Sequence, residues 1–189
     1  MEKLVLVTRQ TRLEGLVERF NSKGQAKFYI EHAGGDFSDY EAEDGAYRRS
    51  LDVLRRSLDL GLKLQVMDRR FAATYLFAET DLIVTAGQDG LVANTAKYVG
   101  GQPIVAVNPD PARFDGVLLP FAVGQARAAV SRALEGSARL RSVTMAEARL
   151  DDGQRLLAFN DLFIGARTHV SARYRIAFGK ARSRSPPAA

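Results

Sequence analysis

The chain has no cysteine, no tryptophan, only two histidines and only six prolines in 189 residues. The missing cysteine excludes disulfides, thiolate metal sites and a cysteine nucleophile, and it suits a reducing compartment. His32 and His169 have no partner at metal-ligand or triad spacing, so neither is a candidate, and no metal ligand is assigned. A Walker-type Gly-Lys-Ser/Thr loop, a Gly-x-Gly-x-x-Gly run and a nucleophile elbow are all absent. No stretch approaches the roughly 18 consecutive apolar residues of a membrane span. The opening Met-Glu-Lys-Leu-Val-Leu-Val enters strand pattern at once and is unlike a signal peptide. A cytoplasmic protein with no membrane partner is expected.

What is present points to a packed domain, with 46% hydrophobic residues. The net charge of +5 is unevenly spread. Residues 162–189 hold six of the 27 basic groups and no acidic one, leaving 21 basic against all 22 acidic groups elsewhere. A basic end can touch phosphates. A solvated terminus is the plainer reading, and nucleic acid is not the expected partner.

Along the chain, periodicity predicts a strand at 3–8, a helix at 12–20, and a second strand at 28–31. A loop at 32–39 precedes a helix on which Tyr47, Leu51, Leu54 and Leu58 repeat at helical spacing. Arg48, Arg49, Arg55 and Arg56 fall mostly on its other side, as a solvated face would. A strand follows at 62–67. Strand 82–86, helix 90–99 and strand 103–107 make a parallel crossover unit, stopped by Gly100-Gly101. One more helix covers 123–134.

Past Gly136 the texture becomes extended, with runs at 139–150, 155–164 and 170–178, the first two joined by Asp151-Asp152-Gly153 in hairpin fashion. The predicted fold class is therefore α/β. A parallel-sheet nucleotide-binding domain (1–122) precedes a partial antiparallel β domain of a helix and about three strands (123–178), and a disordered tail (179–189) ends the chain.

The residues with chemistry sit where the strand 82–86 gives way to a helix, in Gly87-Gln88-Asp89-Gly90-Leu91. Ligands of open α/β sheets bind at the carboxyl ends of the strands. There Asp89 can serve as a base or hold a sugar hydroxyl, Gly87 and Gly90 admit a ligand to the backbone, and the first helical amides favour an anion. The alternative is a plain N-cap and turn. Asn160 and Asp161 interrupt the apolar run 156–164, where adjacent residues point to opposite sheet faces and a buried polar group needs a partner. A bulge there is the alternative. Asn108-Pro109-Asp110-Pro111 closes the strand after the crossover and opens on the same sheet edge as Asp89.

Together these segments resemble the NAD kinase family. Residues 87–91 are similar to its Gly-Gly-Asp-Gly-Thr motif, 158–164 to its Asn-Asp/Glu strand, and 107–113 to the matching loop of the branch that includes the animal mitochondrial NAD kinase. The resemblance spans about 80–178. It implies transfer of the ATP γ-phosphoryl group, with Mg2+ or another divalent cation, to the 2′-hydroxyl of the adenosine ribose of NAD, giving NADP. By that resemblance Asp89 orients the hydroxyl or takes its proton. Asn160 and Asp161 hold the adenosine half of NAD, Gly87 and Gly90 leave room for phosphates, and Asn108 lines the cleft.

Two departures stand in the first motif, Gln88 for glycine and Leu91 for threonine. A third stands at 179–189, where the family continues into a Ser-Thr-Gly-x-Gly-Ser segment. A C-terminally shortened member with an unpaired sheet edge is the expectation, homo-oligomerisation staying open. The alternative function is a catalytically inactive nucleotide-binding or regulatory remnant.

Overall fold

Five parallel strands, built from short runs of Val, Leu and Ile, carry the first part of the chain: β1 (Lys3–Thr8), β2 (Lys63–Asp68), β3 (Asp81–Ala86), β4 (Ile104–Asn108) and β5 (Phe121–Ala122). In the sheet they lie in the order β2-β1-β3-β4-β5. The computed structural model describes residues 1–163, 165, 175–179 and 181–184. It forms two units, Met1–Met145 and Ala146–Ala189.

In the first unit, alternation sorts the strand residues between two covered faces. Leu4, Leu6, Leu82, Val84, Val105 and Val107 point to one face. There they meet Leu54 and Leu58 at the end of α3 (Phe37–Ser57), and Ala126, Ala129 and Val130 of α5 (Ala126–Leu134). Val5, Val7 and Ile83 point to the other face and meet Met67, Ala72 and Leu91. Burial on both faces is why these strands read as continuous apolar runs rather than as alternating ones. Each fully buried Leu or Val contributes about 1.5–3 kcal/mol.

Between β1 and β2 three helices form a small layer of their own: α1 (Arg12–Phe20), α2 (Lys23–His32) and α3. Thr11 starts α1 with a reciprocal cap: its hydroxyl accepts from the Glu14 amide, and the Glu14 carboxylate accepts from the Thr11 amide. Residues 28–31, predicted as a strand, are helical. Ser22 caps α2, Ala26 is buried against Leu13 and Phe37, and Phe28 and Tyr29 remain exposed. A short aromatic run imitates a strand. Here the buried helical face of α2 decides the conformation instead. The expected loop is correspondingly shorter, since α3 begins at Phe37 behind an Asp36 cap.

The crossover unit is present as β3, α4 (Asp89–Ala96) and β4. The helix ends earlier than the predicted residue 99. Helix α5 belongs to the first unit, not to the β part, because its alanine and valine face closes the sheet.

Among the described residues the second unit contains two antiparallel pairs. Strand β6 (Ala146–Arg149) pairs with β7 (Arg155–Ala158) through a turn in which Gly153 adopts φ +86°, as Asp-Gly predicts. Strand β8 (Arg175–Phe178) pairs with β9 (Ala181–Arg184) across a turn at Gly179 with φ +58°. The segment predicted as a disordered tail therefore contains a strand. Backbone pairing across a glycine turn needs no apolar periodicity, which is why the sequence pattern does not announce it. Residues 164, 166–174, 180 and 185–189 lie outside the description, including much of the predicted run at 170–178.

Candidate functional site

The chain leaves β1 toward the helices that end in α3, on one face of the sheet, and leaves β3 toward α4, on the other. Strands β1 and β3 are neighbours, so the connections that leave their carboxyl ends diverge to opposite faces at this edge of the sheet, the edge where open α/β sheets bind ligands. Tyr47 of α3 ties the two ends together. Its buried hydroxyl donates to the Ala86 carbonyl at 2.8 Å and accepts from the Arg9 amide at 3.0 Å. Burial pushes the Tyr47 phenol up to about 12.

Asp89 is the first residue of α4, after an N-cap Gln88 that makes no side-chain capping bond. Asp89 is therefore not the N-cap itself. Its Oδ1 accepts from the Leu118 amide at 2.6 Å, across 29 residues of sequence. Asp89 lines an open cleft of about 480 Å³, with Gln88 and Gly90 on its own side and residues 113–117 opposite. A second depression of about 360 Å³ lies on the β6–β7 turn, around Asp151 and Asp152, and gathers no comparable set.

The two glycines of the motif have different reasons to be there. A Cβ on Gly87 would lie 2.7 Å from Leu91 Cδ2, so the buried Leu91 side chain requires this glycine. A Cβ on Gly90 would meet no atom of another described residue within 4 Å outside its own turn of helix, so among the described residues nothing fills the space beside the first turn of α4.

Asn108 is buried and faces its own loop. Its Nδ2 donates to the Phe114 carbonyl at 2.8 Å and its Oδ1 accepts from the Asp110 amide at 3.1 Å. It shapes the wall of the cleft without being one of the residues that line it.

Asn160 and Asp161 belong to the second unit. The strand predicted to hold them stops at Ala158, whose partner Ala146 is the first residue of β6. Phe159 and Asn160 lie in a bend, and Asn160 and Asp161 are both exposed. Two poor strand formers beyond the last available partner leave the ladder, and exposure spares their polar groups the cost of burial. Gly87, Asp89, Gly90 and Asn108 thus come together in the first unit, as the shared sheet edge predicts.

No local pattern announces the charged chain that borders this cleft. Arg113 pairs with Asp39 and with Asp110; Asp39 also pairs with Arg12; Arg12 and Arg9 both pair with Glu43. The Arg113 and Arg12 guanidinium groups hold the Asp39 carboxyl below its ordinary range. Burial pushes the Glu43 carboxyl up, and Arg12 and Arg9 together more than reverse this. Arg9 also lies over the rings of Tyr47 and Phe114, at 4.7 and 5.9 Å. Arg113 lies two residues beyond the Asn-Pro-Asp-Pro segment, the one local signal that could have singled it out. The other partners are dispersed: Arg9 precedes α1, Arg12 opens it, and Asp39 and Glu43 lie on α3.

Fold and cleft together define an α/β protein with a carboxylate presented at the carboxyl edge of a parallel sheet, between the segments that follow β3 and β4. No protein-family model matches the chain, and no curated protein matches it. Among solved structures it is similar to yeast NADH kinase complexed with NADH, at 14% identity and a TM-score of 0.38. That match covers 83% of this chain and 46% of the other, so the chain spans a little under half the length of the structure it matches.

Proposed function

We propose that the chain is a NAD kinase-like phosphotransferase that uses ATP to phosphorylate the 2′-hydroxyl of the adenosine ribose of NAD. The observation that carries this reading is Asp89, a carboxylate in the cleft at the carboxyl edge of the sheet, with one oxygen anchored by a backbone amide. Its setting in Gly87-Gln88-Asp89-Gly90 and the Asn108 loop beside it are the segments that resemble the family. In the reaction, Asp89 accepts the hydroxyl proton as the ribose oxygen forms its bond to the γ-phosphorus. The bond from that phosphorus to the bridging oxygen breaks, and ADP leaves with the electron pair.

Gly90 and the uncapped first turn of α4 offer unobstructed amides to an anionic group. Among the described residues no cluster of three or more His, Cys, Asp or Glu side chains could hold a metal. Mg2+ needs no such cage, since one or two carboxylates and the nucleotide phosphates suffice. Asp89 and Asp115, both on the cleft, are the carboxylates available to it, and the ion would neutralise phosphate charge. Asn160 and Asp161 are proposed to hold the adenosine half of NAD, on the motif resemblance alone.

Incubation with NAD, ATP and magnesium, followed by detection of NADP, tests the reading. Asp89→Asn should lower kcat by about 10²–10⁴-fold, the usual contribution of a positioned base. An unchanged kcat would remove Asp89 from the chemistry. A second reading, nucleotide binding without transfer, is favoured by Leu91, which occupies the place of the family's threonine and is buried with no hydroxyl to offer. Saturable NAD binding without NADP formation would select it.

A further inference from the structure

We propose that Asn108, with the loop 109–118 that it folds, is the positioning element of Asp89, a role that rests on the kinase reading above. The Asp89 carboxylate has one protein anchor, the Leu118 amide at 2.6 Å. Among the described residues no hydrogen bond engages its Oδ2. The direction of the carboxylate therefore depends on where Leu118 sits.

Leu118 sits where two devices put it. Gly116 turns the chain at φ +67°, and its carbonyl accepts from the Leu119 amide at 2.9 Å. Asn108 is 4% exposed and spans the loop from inside, receiving the Asp110 amide and giving its own amide hydrogen to the Phe114 carbonyl. The two are packed against each other: a Cβ on Gly116 would stand 2.6 Å from Asn108 Nδ2. The outer side of the loop is held by Ser50, whose hydroxyl donates to the Pro109 carbonyl at 2.6 Å, and by Arg113 on Asp39. One buried side-chain amide thus fixes the base of the loop, and the loop fixes one oxygen of Asp89.

A carboxylate held at one oxygen presents the other in a set direction, which is what a group facing a substrate hydroxyl requires. Asn108 is a positioning residue in this account and does not bind substrate. This changes the role given to it by the family resemblance.

The test combines amide NMR with kinetics on Asn108→Ala and, should that variant not fold, Gly116→Ala, with Asp89→Ala as the reference. In the full chain labelled with 15N, Asp89→Ala is expected to shift the Leu118 amide proton upfield and speed its exchange. Asn108→Ala should shift it in the same direction, with kcat lowered about 100-fold and KM for NAD within about twofold, as for a small misplacement of a reacting group. A Leu118 amide that is unmoved in both loop variants overturns the proposal, whether or not the chain makes NADP. A raised KM with unchanged kcat also overturns it, because that pattern belongs to direct substrate contact. Failure of the wild-type chain to make NADP, with the Leu118 amide responding to both Asp89→Ala and Asn108→Ala, refutes the kinase reading and supports the anchoring of Asp89 through Asn108.

Discussion

Replacing Glu43 by glutamine should destabilise the first unit by about 3 kcal/mol at pH 7, at the lower end of the cost of breaking a buried ion pair. The Glu43 side chain is 2% exposed and that of its partner Arg9 is 9% exposed, with Nη2 to Oε1 at 2.8 Å. Glutamine keeps the shape and removes the charge, so the Arg9 guanidinium would be left buried without a counter-ion. Its Nη1 keeps the Gln10 carbonyl at 3.1 Å, and its face keeps the Tyr47 ring, which limits the damage. The second partner, Arg12, is 46% exposed and keeps Asp39, so its loss is small.

Urea unfolding monitored by far-UV circular dichroism gives the cost directly. The double variant Arg9→Met, Glu43→Leu should return to within about 1 kcal/mol of the wild type, since an apolar pair of similar volume carries no desolvation penalty. The folded-state pKa of Glu43 lies below its ordinary value, so its contribution is full above that value and fades as pH falls through the folded one. The deficit of Glu43→Gln should accordingly be constant near neutrality and shrink in acid. A cost under about 1 kcal/mol at pH 7 would refute the claim that the network is held together by this buried charge.

Tyr47→Phe should cost about 1–3 kcal/mol, because it leaves the Ala86 carbonyl and the Arg9 amide without their shared partner. The Tyr47 phenol is raised to about 12 in the folded protein. The wild type should therefore lose stability as pH climbs from about 10 to about 12, and Tyr47→Phe should show a flatter base-unfolding curve. Gly116→Ala forces a left-handed backbone on alanine and a contact with Asn108; it should cost about 1–3 kcal/mol for the backbone alone, read as a lowered urea midpoint.

The first strand and first helix were legible because their signals are local. Strand Lys3–Thr8 has the unbroken apolar centre Leu4-Val5-Leu6-Val7, and Thr11 with Glu14 writes its own helix start. Asp89 was legible for a similar reason, since glycines on both sides of a carboxylate after a buried strand mark a sheet edge. Residues 28–31 imitate a strand through two aromatics, while the deciding contact, Ala26 against Leu13 and Phe37, lies elsewhere in the chain. Asn160 and Asp161 read as strand residues because apolar residues surround them. Strand length there is set by the partner, and β6 offers none beyond Ala146.

By itself the sequence determined the α/β class, the apolar strands, the caps and the turn that carries Asp89, because each depends on residues within a few positions of one another. Only the tertiary structure decided which amide holds the Asp89 carboxylate, that Asn108 faces its own loop, and that Glu43 sits between Arg9 and Arg12. Those pairings join residues 29, 31 and 34 positions apart, or turn a side chain inward rather than outward, and no local pattern encodes them. They arise when the strands β1, β3 and β4 align their carboxyl ends and bring distant polar groups to one edge, where each must find a partner or face water.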